Sequence, residues 1–303
     1  MKVLIYGAKG WIGSQFVEIV KNGGEEYVEG VSRIDDVESL EREIIDVNPT
    51  HIVSFIGRTH GTIGDKVYGT IDYLENKGKL VENMRDNLFA PMVLALISQR
   101  HNIHYSYLGT GCIFNYDDQH LFGNEEPGSG FTESDVPNFF GSSYSTCKGF
   151  TDRLMHFFDA SVLNIRIRMP ITDNVNDRNF ITKITNYAQI CSMPNSMTVL
   201  PDLLPMVWDM MRNGVVGTIN LTNPGLITHN EILEMFREIV DQDFTWANFS
   251  LEDQQKVLTS DRSNNFLDTT RLETLYPEVK NIKVAIRECL GRYKESYKNL
   301  SKL

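Results

Sequence analysis

Val3-Leu4-Ile5-Tyr6-Gly7-Ala8-Lys9-Gly10-Trp11-Ile12-Gly13 is the stretch that decides the fold. Val3 to Tyr6 is a short apolar run rich in strand formers. Phe16, Ile19 and Val20 then recur at helical spacing, so the three glycines lie between a strand and a helix. In that setting Gly7 makes the tight turn, Gly10 lets the backbone approach a pyrophosphate, and Gly13 allows close packing of helix on strand. A helix starting there presents free N–H groups and positive dipole to phosphate. The spacing is G-x-x-G-x-x-G rather than G-x-G-x-x-G, and its place between strand and helix gives it weight.

From there strand-like and helix-like segments alternate. Strands are expected at 3–6, 27–31, 51–56, 104–108 and 160–167, and helices at 14–22, 37–47, 80–100 and 143–158. A loop is expected between the third strand and Lys79, and the 80–100 helix is expected to run through Pro91. This alternation predicts an α/β fold: a doubly wound, Rossmann-type parallel sheet with helices on both faces. Beyond residue 168 the pattern loosens and Pro170, Pro194, Pro201, Pro205 and Pro224 punctuate it. The expected organisation is a dinucleotide-binding domain over 1–167, with a strand returning near 217–221, and a smaller mixed C-terminal substrate lobe over 168–303.

The 303 residues carry a net charge of −11, which argues against a nucleic-acid binder, since that would need a basic stripe. No apolar run approaches the ~20 residues of a membrane span, and the chain opens on a strand rather than a signal peptide. Cys112, Cys147, Cys191 and Cys289 show no framework spacing, so reduced thiols and a cytoplasmic location are expected. The histidines show no metal-ligand spacing, and His101 and His104 read as surface residues.

The chemistry concentrates in Tyr144-Ser-Thr-Cys-Lys148. A tyrosine and a lysine four apart share a helix face. An ammonium beside a phenol favours its ionised form, bringing a group that titrates near ~10 closer to working pH. Such a phenol can exchange a proton with a carbonyl or alcohol oxygen. The preceding strand ends at Thr110, where ligands of an open parallel sheet bind, and its hydroxyl can donate to a carbonyl oxygen that gains charge as hydride arrives. Asn87, in the long helix, could keep Lys148 or a water in place. The second strand runs into Gly30-Val31-Ser32-Arg33, where an acidic residue would hold the ribose of NAD. A hydroxyl and a guanidinium stand there instead, suited to a 2′-phosphate, so NADPH is expected, with NADH open through Asp35 or Asp36.

The glycine turn, Thr110 and Tyr144-x-x-x-Lys148 resemble an extended short-chain dehydrogenase/reductase acting on a nucleotide sugar. Leu-Gly-Thr110-Gly-Cys112-Ile-Phe, Phe131-Thr-Glu-Ser-Asp, Pro137-Asn-Phe, Asn195-Ser-Met-Thr-Val-Leu and Arg262-Ser-Asn-Asn-Phe-Leu-Asp are more narrowly similar to the bifunctional epimerase/reductase of nucleotide-rhamnose synthesis. The resemblance implies a UDP- or dTDP-4-keto-6-deoxyglucose substrate, inverted at C3 and C5 and then reduced at C4, with UDP preferred. It implies Cys112 as the epimerase base, because a thiolate can take the hydrogens that the ketone acidifies. It points to Lys183 as the second acid/base. In the epimerising relatives that make GDP-fucose a histidine stands there, and it is absent here. It also points to Asn179, Phe180 and Arg262 as substrate-binding residues; Arg58, after the strand ending Phe55-Ile-Gly57, could reach the sugar or the cofactor, and Gly57, Trp11 and Ile12 complete the expected cofactor set. A homodimer built on the two long sheet-flanking helices is common among such proteins. Two other readings stand: a 4-reductase alone, and a non-catalytic nucleotide-binding regulatory subunit on the same fold.

Overall fold

The structure is a computed structural model that describes residues 1–300. Strand β1 (Lys2–Tyr6) buries Val3, Leu4 and Ile5 completely, as a parallel strand covered on both faces requires. Helix α1 (Trp11–Asn22) begins at Trp11 rather than Ser14, directly after the glycine turn. Strand β2 (Glu26–Glu29), helix α2 (Val37–Val47) and strand β3 (His51–Ser54) follow. Both β2 and β3 pair with β1 in parallel.

The segment from β3 to Lys79, expected as a loop, is structured. It holds an antiparallel ribbon, β4 (Gly61–Ile63) and β5 (Lys66–Tyr68), and a 3-10 turn over Ile71–Glu75. These strands are too short for periodicity to reveal.

The long helix forms as expected but not uniformly. Between α3 (Leu80–Met84) and α4 (Ala90–Arg100) lies a π-turn, Arg85–Phe89. Pro91 is the reason. Its ring has no N–H for the carbonyl of Asn87 one turn back, and it crowds that carbonyl. The widened turn relieves the crowding, and the Thr151 hydroxyl donates to Asn87 O at 2.6 Å in place of the missing bond.

Strand β6 (His104–Thr110), helix α5 (Ser143–Met155), strand β7 (Val162–Ile167), helix α6 (Phe180–Thr185), helix α7 (Leu200–Arg212) and strand β8 (Gly217–Asn220) complete the order as far as the returning strand. The six-stranded parallel sheet runs β2-β1-β3-β6-β7-β8. The chain steps outward from β1 to β2, then crosses back to β3. The crevice beyond β1 and β3 is therefore the switch point where ligands of such sheets bind.

Helix α5 is fixed to the sheet by charge as well as packing. Asp152 accepts from Arg166 Nε at 2.9 Å and Nη2 at 2.8 Å, and from Asn164 Nδ2 at 2.9 Å. Arg166 is fully buried, and the bidentate geometry offsets its desolvation. His104, expected at the surface, is half-buried. Its Nε2 meets Val215 O at 2.8 Å, its ring lies 5.0 Å from that of His51, and burial pushes its pKa down. His101 does stay near the surface, paired with Glu41 at 2.9 Å.

Two compact units divide the chain. The first comprises Met1–Ile113, Val136–Arg166 and Leu204–Ile219. The second comprises Phe114–Asp135, Ile167–Leu203 and the chain from Asn220 onward. The second unit has its own core, in which Ile171, Ile181, Met197, Phe236, Ile286 and Tyr293 are buried. Its helix α8 (His229–Ile239) starts with a capping box between Thr228 and Glu231. Helices α9 (Leu251–Val257), α10 (Thr270–Leu275) and α11 (Ile282–Leu300) complete it. Among the described residues no helix is long and apolar enough to cross a membrane.

Candidate active site

The glycine turn does what its spacing predicts. Gly7 has φ +75°, in the region that favours glycine. A Cβ on Gly13 would lie 2.1 Å from Gly7 O, so helix and turn touch backbone to backbone. Gly10 N donates to Gly7 O at 3.0 Å and closes the turn. Gly10 is also the N-cap of α1; it supplies no side chain to cap the first turn, and no acidic residue stands in that turn. Trp11 and Ile12 form that first turn. Its N–H groups thus meet the switch-point crevice with no carboxylate to compete against a phosphate. On this geometry the crevice fits a nicotinamide dinucleotide.

Beyond β2 the chain is held by a residue the sequence reading missed. Glu43, on α2, accepts from Val31 N at 2.8 Å, Ser32 N at 3.1 Å and Tyr6 Oη at 2.9 Å. It anchors the loop that carries Ser32 and Arg33. Arg33 is exposed and forms a two-point pair with Asp35, at 2.9 and 2.7 Å.

At the carboxyl end of β6, Thr110, Cys112, Tyr144 and Lys148 come together. Thr110 Oγ1 accepts from Cys112 N at 3.0 Å. Cys112 is half-buried and packs against the cluster of Tyr73, Leu74 and Tyr144. Tyr144 and Lys148 are both buried. The expected pairing of ammonium with phenol is not what forms. Lys148 Nζ donates to Tyr107 Oη at 2.7 Å and lies 4.8 Å from the centre of that ring.

The titration properties follow. Burial, and then the nearby Cys112, push the Tyr144 phenol above its ordinary range, while a hydrogen bond with Thr110 pulls it partly back. The expectation of a phenol lowered by the lysine is therefore corrected: desolvation sets the direction, and the opposing group is Thr110 rather than Lys148. Tyr144 stays protonated near neutrality, as a proton donor must be. Burial lowers Lys148 to about 7, with Cys147 and Cys112 opposing the shift.

Asn87 is fully buried rather than turned outward. Its Oδ1 accepts from Arg58 N at 3.0 Å, and its Nδ2 donates to Arg58 O at 2.8 Å and Asn83 Oδ1 at 2.9 Å. Asn83 donates to Ser143 Oγ at 3.1 Å, and Ser143 N donates to Glu75 at 2.8 Å. This chain of bonds links the loop after β3 to the first residue of α5. A Cβ on Gly57 would sit 3.3 Å from Asn87 Oδ1 and 3.8 Å from Lys148 Nζ, so bare backbone faces both groups. Arg58 spends its Nε on Asp86, at 3.0 Å.

No protein-family model matches the chain. The protein L780 of Acanthamoeba polyphaga mimivirus is 56% identical over 294 residues, covering 97% of this chain and 99% of L780. The crystal structure of L780, named a UDP-rhamnose synthase, superimposes with a TM-score of 0.91 at 55% identity, covering 96% of this chain and 99% of that one. A bifunctional dTDP-4-dehydrorhamnose 3,5-epimerase/dTDP-4-dehydrorhamnose reductase of Arabidopsis thaliana is 41% identical over 284 residues, 93% of this chain and 90% of that protein. The chain belongs to the nucleotide-rhamnose epimerase/reductase family. A dTDP-4-dehydrorhamnose reductase from Clostridium acetobutylicum has the same fold, with a TM-score of 0.76 at 16% identity over 100% of both chains.

As a member of this epimerase/reductase family the protein is an oxidoreductase and epimerase of nucleotide sugars. The remaining residues that the resemblance implied lie in the second unit. Asn179 is fully buried and fully committed. Its Oδ1 accepts from Ile181 N at 3.2 Å and Thr172 N at 3.3 Å, and its Nδ2 donates to Thr172 O and Asn174 O, each at 2.7 Å. It therefore braces the loop before α6 rather than offering a side chain to a substrate. Phe180 is half-buried and meets the His229 ring edge-on at 5.3 Å. Lys183 is not a solvated surface lysine: burial, and then Arg178 and Arg262, lower its pKa to about 8, with Asp177 opposing the shift. Arg262 Nη1 donates to Ser260 O at 2.9 Å and Oγ at 2.7 Å.

Proposed function

We propose that the protein is the bifunctional 3,5-epimerase/4-reductase that converts UDP-4-keto-6-deoxy-D-glucose to UDP-L-rhamnose with NADPH. The observation that carries this reading is the convergence of Cys112 with Thr110, Tyr144 and Lys148 at the end of β6. A reductase alone needs the last three and has no use for the thiol.

Each group has a task its chemistry suits. The C4 ketone acidifies the hydrogens on C3 and C5, and the Cys112 thiolate removes them to give enolates. Lys183, an amine titrating near 8, returns protons from the opposite face. Gly7, Gly10, Trp11, Ile12, Gly13, Ser32 and Arg33 would hold a nicotinamide cofactor, which when bound would supply hydride for C4. Tyr144 then protonates the alkoxide, while Thr110 donates to the same oxygen. Lys148 and Asn87 hold the nicotinamide-ribose side of the crevice in register. Arg262 is the candidate that binds the diphosphate, and Arg58 and Phe180 are further candidates for contact with the sugar nucleotide. Binding energy from the nucleotide can thus hold the sugar for reaction.

Incubation with UDP-4-keto-6-deoxyglucose and NADPH is expected to yield UDP-β-L-rhamnose, identified by NMR. A 6-deoxyhexose reduced at C4 without inversion at C3 and C5 would leave only the reductase. No turnover would favour the regulatory subunit.

The protein is further proposed to form a homodimer in the cytoplasm. Phe89 and Leu96 on the long helix, and Phe150 and Leu154 on α5 with Phe157 just after it, are exposed. Phe157 is 80% exposed, which is unusual for a side chain of that size in a lone protein. Light scattering should give twice the chain mass, and Phe157→Glu should return it to one.

A further inference from the structure

A cavity of about 210 Å³ in the first unit is lined by Ser32, Arg33, Ile34, Asp35, Arg85 and Asp86. Two guanidiniums reach it from separate elements. Arg33 comes from the loop after β2, and Arg85 from the π-turn that Pro91 imposes on the long helix. Both are held by carboxylates in the geometry a phosphate would use. Arg85 Nε donates to Asp86 Oδ1 at 2.7 Å and Nη2 to Oδ2 at 3.2 Å, as Arg33 does to Asp35.

Asp86 also accepts from Arg58 Nε at 3.0 Å, so this buried carboxylate serves two guanidiniums, with Glu82 4.0 Å from Arg58 as a second partner of that arginine. The two arginines also differ in depth. The Arg33 side chain is 73% exposed and that of Arg85 31%. The less exposed guanidinium is less screened and has less freedom to lose on binding an anion.

We propose that Arg85 is the second and principal guanidinium for the 2′-phosphate of the cofactor, and that it sets the preference for NADPH over NADH. The assignment rests on the NADPH reading above. Arg33 closes over the phosphate from the solvent side, with Asp35 as its internal partner until the phosphate takes that place. Ser32 contributes a hydroxyl. Arg85 is the first residue of the π-turn, and the cavity places it beside Ser32 and Arg33 of the loop after β2.

The test is direct binding of NADPH and of NADH, by calorimetry, to the wild-type chain and to Arg85→Gln, Arg33→Gln and Arg85→Lys. Wild type is expected to favour NADPH. Arg85→Gln should lose about tenfold to a hundredfold on NADPH, the worth of charge-assisted hydrogen bonds, while NADH affinity stays within about twofold. Unchanged NADH binding also shows that the variant folds. Arg85→Lys should recover part of the loss. If wild type favours NADPH but only Arg33→Gln abolishes that preference, the assignment to Arg85 is overturned while the NADPH reading stands. Equal loss of both cofactors in Arg85→Gln would mark the residue as structural and also overturn it. No preference in the wild type would remove the NADPH reading and this assignment together.

Discussion

In deuterium oxide, Cys112→Ala enzyme is expected to return the 4-keto sugar without deuterium at C3 or C5. Wild-type enzyme should label both positions even without NADPH, because proton abstraction precedes hydride transfer. The expected loss of exchange is about 10²–10⁴-fold, the usual worth of a positioned general base. The same variant should still reduce a substrate that has already been inverted. That asymmetry is what the geometry requires. Thr110 Oγ1 accepts from the backbone N–H of Cys112, so its anchor survives removal of the thiol. Tyr144 packs in a cluster with Tyr73 and Leu74, to which Cys112 is a partly buried neighbour. Exchange that persists in Cys112→Ala would assign proton abstraction to another group. Loss of both activities together would mean that the thiol supports the reductase site structurally.

Lys148→Met is expected to act in opposite directions on activity and stability. Reduction should fall by about 10²–10⁴-fold, because the buried ammonium proposed to hold the nicotinamide-ribose side of the crevice is gone. Stability should rise. Burial holds the folded-state pKa near 7, against an unfolded value near ~10.4. The unfolded chain therefore binds more protons between those two values, and the wild-type fold gains stability as pH rises from about 7 toward ~10.4. Thermal melts across that range should show this slope in wild type and lose it in Lys148→Met. At neutral pH, methionine replaces a group that the interior disfavours, so Tm should increase. The loss of one hydrogen bond to Tyr107, at 2.7 Å, offsets only part of the gain. In the wild type, kcat/KM for the cofactor should decline as pH rises through about 7, where the free enzyme loses its ammonium. An unchanged pH profile and a lowered Tm in the variant would refute the argument.

The legible part of the site was the part written locally. Strand, three glycines and helix occupy consecutive residues, and the φ of +75° at Gly7 and the 2.1 Å approach at Gly13 are what their spacing demands. Thr110 was found because a strand's end can be read from where its apolar run stops. Asn87 was singled out, but the burial that decides its role came from the fold. Arg85 and Asp86 gave no signal, because they sit in a helix whose π-turn depends on how Thr151 answers Pro91 from another element.

Sequence alone determined the doubly wound sheet and the glycine turn, and singled out Tyr144 with Lys148 as candidates, since each depends on a short-range period or spacing. Tertiary structure decided how those residues are poised. Lys148 reaches Tyr107 across 41 positions, Asn83 reaches Ser143 across 60, and Thr151 reaches Asn87 across 64. Tyr144 lies four residues from Lys148, yet its phenol is governed by burial and Cys112 rather than by that neighbour. The physical reason is that pKa values and hydrogen-bond partners follow from what packs around a group, and those contacts come from distant strands and helices brought together by the sheet.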